Sequence, residues 1–219
     1  VMQSSAGSLK RLTLELGGND PAIVLPDVDA KAVAPELFWA AFQNNAQFCN
    51  ATKRLYVHED IYDDVLKELV EYAKTVKVSD GAEDGAQLGP IQNAPQYEKV
   101  MDYFEDCKKN GYRFAVGGDI DNSAQGWFIP VTLVDNPPED SRIVQEEPFG
   151  PILPVLKWRD DADVVRRAND TPYGLGASVW GKDLERVARI GEQIDAGTVW
   201  LNEIHMYSPG QTFGGAKES

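Results

Sequence analysis

Residues 54–73, RLYVHEDIYDDVLKELVEYA, change period part-way along. The opening RLYVHEDI reads as a strand. From Ile61 onward the apolar positions Ile61, Val65, Leu66, Leu69, Val70 and Ala73 fall on one helical stripe. A strand that feeds straight into a one-sided helix is the building unit of an α/β fold. Upstream, RLTLEL (11–16) alternates as a half-buried strand, Gly17-Gly18 mark a turn, and AIVL (22–25) is a short apolar run bounded by Pro21 and Pro26. Asp29 is placed to cap a helix in which Ala34, Leu37, Phe38, Ala41 and Phe42 share a face and which ends near Asn44-Asn45.

The alternation continues downstream. A Gly/Pro/Asp-rich connection from Gly81 to Pro95 leads to a helix over 95–109 and, past Gly111, to a strand YRFAV. Strands are expected at 127–134, 151–157, 174–180 and 198–202, with helices at 160–169 and 183–194. The pattern predicts one α/β domain over 1–219, a three-layer α-β-α arrangement with a mostly parallel sheet.

A chain of 219 residues with 42% hydrophobic content is long enough for a substantial core. The net charge of -14, from 35 acidic against 21 basic residues, repels phosphate backbones and anionic membranes, so neither nucleic acid nor a membrane is an expected partner. No apolar run approaches the roughly 18 to 20 residues that span a bilayer, and the N-terminus lacks a secretory pattern. The two cysteines, Cys49 and Cys107, form no CxxC pair, which favours a reducing, cytoplasmic compartment over a disulfide framework or a zinc ribbon. Val1 in place of an initiator Met and the abrupt end at GGAKES lead to the expectation of a segment of a longer chain.

Cys49 follows the amide-rich run FQNNAQF, surroundings more polar than a buried structural thiol usually has, although free cysteine often packs as a small hydrophobe. A catalytic thiol needs a base or a stabilising field because its unperturbed pKa is about 8.5. Glu15, at the end of the expected first strand, is the candidate base; a solvated strand-end carboxylate is the alternative. EEPFGP (146–151) combines two carboxylates, an aromatic ring and a turn, and is either a ribose-holding loop or a surface turn. Asn202 closes the run TVWL and either orients a site or ends a strand. His58 is read as a helix start and His205 as a loop residue, without triad or metal spacing; Cys107, in EDCKKN, is read as structural. No GxGxxG or P-loop is present.

Together LELGGNDPAIV (14–24), FQNNAQFC (42–49), EEPFGP (146–151) and TFGGAKES (212–219), in that order, resemble the NAD(P)-dependent aldehyde dehydrogenases. LGPIQN at 88–93 and YGLGASVW at 173–180 extend the similarity over essentially the whole chain. The resemblance implies an aldehyde dehydrogenase-like catalytic domain, with Cys49 as nucleophile and Glu15 as general base. It places Glu147 and Phe149, with Leu16 and Gly17, on the side of an NAD or NADP cofactor held mainly by a dinucleotide-binding domain largely outside this chain. It puts Asn202 near the active site; Phe48, Met206, Tyr207 and Trp39 are either walls for a small-molecule aldehyde or core packing. Ala46 stands where the family motif commonly has Gly. The full-length enzyme is expected to be a homo-oligomer, with no metal at the site. Two other readings remain: a cofactor-independent thiol esterase using Cys49 and Glu15, and a folded fragment in which Cys49 is not activated.

Overall fold

The computed structural model describes residues 1–120 and 125–219. In chain order the elements are α1 (Met2–Ala6), β1 (Asp20–Val24), α2 (Ala30–Phe42), β2 (Thr52–His58), α3 (Tyr62–Ala73), α4 (Ala94–Lys109), β3 (Arg113–Val116), β4 (Thr132–Asp135), α5 (Arg142–Gln145), β5 (Ile152–Trp158), α6 (Asp161–Asn169), β6 (Tyr173–Gly174), β7 (Gly176–Trp180), α7 (Leu184–Gly191), β8 (Thr198–Leu201) and β9 (Ala216–Lys217). The main sheet has seven strands in the order β3-β4-β5-β2-β1-β7-β8. All its neighbours are parallel except the edge pair β3 and β4, which is antiparallel.

β1 and β2 occupy the middle of the sheet and are buried along their whole length, as parallel strands covered on both faces must be. Successive residues point to opposite faces. Ala22, Val24, Leu55 and Val57 therefore meet α2 and α3 on one side, while Ile23 and Tyr56 join the core under α4, α6 and α7 on the other. Leu37, Phe38 and Phe42 of α2 pack with Val65 and Leu69 of α3, and each such side chain withdrawn from water contributes roughly 1.5–3 kcal/mol. Both helix layers are thus held by the sheet, giving the expected three-layer arrangement.

Asp29 caps α2 through the Lys31 and Ala32 amides, as read from sequence, and Asp160 and Asp183 cap α6 and α7 in the same way.

Three expectations are corrected, and that of His58 as a helix start is met by a cap. RLTLEL does not form a strand: it has no neighbour to complete its ladder, and Leu12 and Leu16 are 40% and 59% exposed. The strand expected at 127–134 is confined to Thr132–Asp135, because Pro130 has no N–H to give a ladder. The run 174–180 is divided at Leu175: Gly174 pairs with Ala216 in a separate two-stranded ribbon, whereas Gly176–Trp180 belongs to the main sheet. His58 ends β2 and accepts the Asp60 amide at 3.3 Å, so it caps a 3-10 turn at 59–61 ahead of α3. Among the described residues no helix is long and apolar enough to cross a membrane.

Candidate active site

Glu15, Cys49 and Glu147 come from three segments that each lead into a strand: 15–19 into β1, 43–51 into β2 and 146–151 into β5. In this parallel sheet the three entries lie along one edge, with β1, β2 and β5 as consecutive neighbours. This is the edge opposite the carboxyl ends where open α/β sheets usually bind ligands. Glu15 is therefore positioned by entering β1, and not, as the sequence suggested, by leaving a strand.

Cys49 sits in a turn, with Ala51 N–H donating to Phe48 O at 3.4 Å. Before it, Asn44, Asn45 and Ala46 all have left-handed φ of 50°, 59° and 58°. Asn tolerates that conformation, but Ala46 has a Cβ to accommodate where a glycine would not. The Asn45 amide donates to Gly89 O at 2.7 Å, and Gln47 both donates to Pro90 O at 3.2 Å and accepts from Gln92 N–H at 2.9 Å. The LGPIQN connection thus braces the Cys49 loop.

Cys49 is half-buried and its thiol donates to Asn50 Oδ1 at 4.0 Å; its pKa is raised, first by burial and then by the Glu15 carboxylate, while the Asn50 backbone and Lys53 pull the other way. Burial and the nearby carboxylate thus favour the protonated thiol. Glu15 itself is exposed to solvent.

Gly17 and Gly18 bring this segment close to the rest of the site. Gly17 has φ +100°, and a Cβ there would lie 2.6 Å from Glu147 Oε2. A Cβ on Gly18 would lie 2.6 Å from Asp20 Oδ1 and 2.8 Å from Cys49 O. Glu147 Oε1 accepts from Gly18 N–H at 3.2 Å and pairs with Lys53 Nζ at 3.2 Å. Phe149, also left-handed at φ 53°, holds its ring centroid 5.8 Å from Lys53 Nζ. The structure therefore brings Glu15, Gly17, Cys49, Glu147 and Phe149 together, while the Leu16 side chain points to solvent.

Beside Cys49 lies an open hollow of about 370 Å³ whose walls include Phe48, Asn50, His205 and Tyr207. Its rings meet edge to face: Phe48 with His205 at 5.1 Å, Trp200 with Tyr207 at 5.5 Å, and Tyr207 with Phe213 at 5.6 Å. The Asn50 amide donates to the Tyr207 hydroxyl, leaving that hydroxyl's own proton available; burial pushes the Tyr207 pKa up to about 12. His205 Nε2 lies 2.9 Å from Asn50 O, and burial lowers its pKa, so it serves as a neutral donor.

Phe48 and Tyr207 thus line the hollow as expected, but three other side chains do not. Asn202 is engaged with Gly181 through both amide atoms, each at 2.8 Å, because β8 ends in a left-handed turn that folds it against the end of β7. Met206 is 62% exposed, and only its carbonyl is used, by Trp200 Nε1 at 3.0 Å. Trp39 bridges the helix layer, donating to the Tyr72 hydroxyl at 2.9 Å. Cys107 is fully buried with its pKa pushed up to about 12, mainly by burial, in keeping with its structural reading.

Lys53, Arg54 and Asp20 were not singled out from sequence. Two consecutive cations opening a central strand are the available signal, since such positions are normally apolar. Arg54 is fully buried and donates to the carbonyls of Asn19 at 2.8 Å and Ala168 at 2.8 Å, while among the described residues neither oxygen of the buried Asp20 carboxylate makes a side-chain hydrogen bond of normal geometry.

A family model described as "Aldehyde dehydrogenase family" matches residues 1–219. The chain belongs to the aldehyde dehydrogenase family. Among curated aldehyde dehydrogenases, it is 40% identical to the phenylacetaldehyde dehydrogenase of Pseudomonas fluorescens over 221 residues, covering 100% of this chain and 44% of that protein. It is 38% identical to the chloroplastic betaine aldehyde dehydrogenase of Beta vulgaris, with 100% and 44% covered. Among solved aldehyde dehydrogenases, the NAD+ complex from Bacillus cereus superposes with a TM-score of 0.93 at 36% identity, covering 99% of this chain and 44% of that one. The NAD+ complex from Mycobacterium tuberculosis gives a TM-score of 0.93 at 32% identity, with 99% and 45% covered. The chain spans 44% of the length of these curated aldehyde dehydrogenases.

Proposed function

We propose that this chain carries the covalent chemistry of an NAD(P)-dependent aldehyde dehydrogenase, with Cys49 as nucleophile and Glu15 as general base. The observation that carries the reading is the half-buried Cys49 thiol in a turn beside an aromatic-walled hollow, its pKa raised by burial and by the Glu15 carboxylate. Glu15 takes the thiol proton, and the Cys49 sulfur adds to the aldehyde carbon to give a thiohemiacetal. The oxyanion that develops requires a donor at its own position, a role suited to the Cys49 backbone N–H. NAD(P), when bound beside Glu147 and Phe149, would supply the hydride acceptor for this carbon. Exposed Glu15 releases the thiol proton to bulk water and, ionised again, deprotonates a water that hydrolyses a Cys49 thioester to the carboxylic acid, with the thiol as leaving group.

Glu147, held across from Gly17, and the ring of Phe149 suit the nicotinamide-ribose end of the cofactor. A carboxylate accepts from ribose hydroxyls, and the absent Cβ of Gly17 keeps the approach to it open. The sequence has no glycine-rich phosphate motif. That lack and the 44% span support a catalytic domain whose dinucleotide-binding partner lies largely outside these residues. Exposed Leu12, Leu16 and Phe213 support further protein surface over this region in a longer, homo-oligomeric enzyme. The two free thiols accord with a reducing, cytoplasmic setting.

An aryl acetate tests both roles without a cofactor. Acylation should map to Cys49 and vanish in Cys49→Ser, while Glu15→Gln should accumulate acyl-Cys49 by slowing its hydrolysis. Acylation elsewhere, or equal release by the parent chain and Glu15→Gln, would overturn the assignment.

A further inference from the structure

Lys53 opens β2 beneath the turn that carries Cys49, and its side chain is 2% exposed. Its Nζ reaches Cys49 O at 2.6 Å, Phe48 O at 3.2 Å, Ala51 O at 3.4 Å and Glu147 Oε1 at 3.2 Å. An ammonium has only three protons, so these four acceptors compete for it, and the turn holds the shortest contact. Glu147 in turn ties Gly18 to the same cation and presses on Gly17. The segments bearing Glu15, Cys49 and Glu147 therefore converge on one nitrogen. A buried cation is costly unless it is well partnered, and an apolar side chain of similar length would fill the same volume at the base of β2.

We propose that Lys53 is a positioning residue, whose ammonium clamps the Cys49 turn to the Glu147 loop and whose field favours the Cys49 thiolate to an extent set by Glu147. This deepens the proposed function and rests on Cys49 as nucleophile. The anions facing the ammonium are Glu147 and Asp20, with Arg54 alongside Asp20. Around the sulfur, burial and Glu15 oppose ionisation, while Lys53 and the Asn50 backbone favour it, and Tyr207 lies opposite. Removing the cation takes away one of the two supports. Removing the Glu147 charge leaves the cation in place but less neutralised, so its effect has the opposite sign. A residue that merely fills space has no means of producing that reversal.

The test is the rate of Cys49 alkylation by iodoacetamide in this chain across about pH 6 to 10. It is read by peptide mass mapping, with an unalkylated Cys107 and circular dichroism as the fold checks. Lys53→Met should move the profile to higher pH and slow the reaction near neutrality roughly three- to tenfold. Glu147→Gln should move it to lower pH and speed the reaction. Where Lys53→Met fails to fold, Lys53→Arg and Glu147→Gln decide, the first keeping the profile near that of the parent and the second lowering it. Shifts of both charge-removing variants in the same direction, or an unmoved profile in folded Glu147→Gln, overturn the proposal. If aryl acetate acylation survives Cys49→Ser, the nucleophile assignment fails first and the proposal falls with it. If acylation requires Cys49 but the opposed shifts are missing, only the role of Lys53 is refuted.

Discussion

Replacing Asp20 by asparagine should make the protein more stable at pH 8 and leave it nearly unchanged close to pH 4. Asp20 starts β1, is 3% exposed, and among the described residues makes no side-chain hydrogen bond of normal geometry through either carboxylate oxygen. Burial raises its pKa from 3.8 to about 7 despite Lys53, the Gly176 backbone N–H and Arg54 nearby. Below the unfolded value both states hold the proton and there is no penalty. As pH rises from about 4 to about 7 the unfolded chain releases it while the folded chain retains it, so stability falls, and above about 7 the loss is complete. At about 1.36 kcal/mol per unit, the difference between 3.8 and about 7 corresponds to roughly 4 kcal/mol. An asparagine side chain is nearly isosteric and does not titrate, so Asp20→Asn should gain up to that amount above pH 7. With a urea slope of about 2 kcal/mol per molar, the unfolding midpoint would rise by about 1–2 M. Urea titrations of both proteins at about pH 5 and about pH 8 measure this, and the gap between them should widen with pH. A variant less stable than the parent at pH 8, or a gap that does not change with pH, would refute a buried, protonated carboxylate.

Gly17→Ala should lose about 1–3 kcal/mol in the same assay, because φ is +100° and the new Cβ would meet Glu147 Oε2 at 2.6 Å; unchanged stability would count against that contact. Ala46→Gly should leave the melting temperature unchanged or raise it, since Ala46 has φ 58°, whereas Ala41→Gly on the buried face of α2 should cost about 1 kcal/mol or more; equal losses would argue against a left-handed residue at 46. Cys107, with its pKa pushed up to about 12, should remain unalkylated in the folded protein at pH 8 and react only once urea unfolds the chain.

The α/β architecture was readable because its signals are local. A stripe such as Ile61, Val65, Leu66, Leu69 and caps such as Asp29 are written over a single element, and the structure realises them. RLTLEL shows the limit: alternation describes a strand that would suit a sheet, but a strand also needs a neighbour, and these residues have none. The division at Leu175 had the same origin, because whether Gly174 joins β7 or pairs with Ala216 depends on residues more than 40 positions away.

Cys49 and Glu15 were singled out through motifs, with Glu147 and Phe149 from EEPFGP, and all four lie in the segments that enter β1, β2 and β5. Asn202 sits next to residues of the hollow in sequence, yet its amide is consumed by Gly181. Lys53 escaped notice because a lysine before an arginine looks like solvated charge. Its burial follows from the position of β2 between β1 and β5, which no local pattern records.

The sheet also separates two kinds of tolerance to change. Asp29, Asp160 and Asp183 stand where β1, β5 and β7 run out into their helices, and each cap contributes on the order of 1 kcal/mol. The thiol, the carboxylates and the hollow gather where strands begin. An engineer could therefore strengthen or weaken the protein at one rim and retune reactivity at the other, with the thickness of a buried sheet insulating each set of edits from its counterpart. Substitutions drawn from opposite rims should combine additively, whereas pairs within the Lys53–Glu147 rim should not.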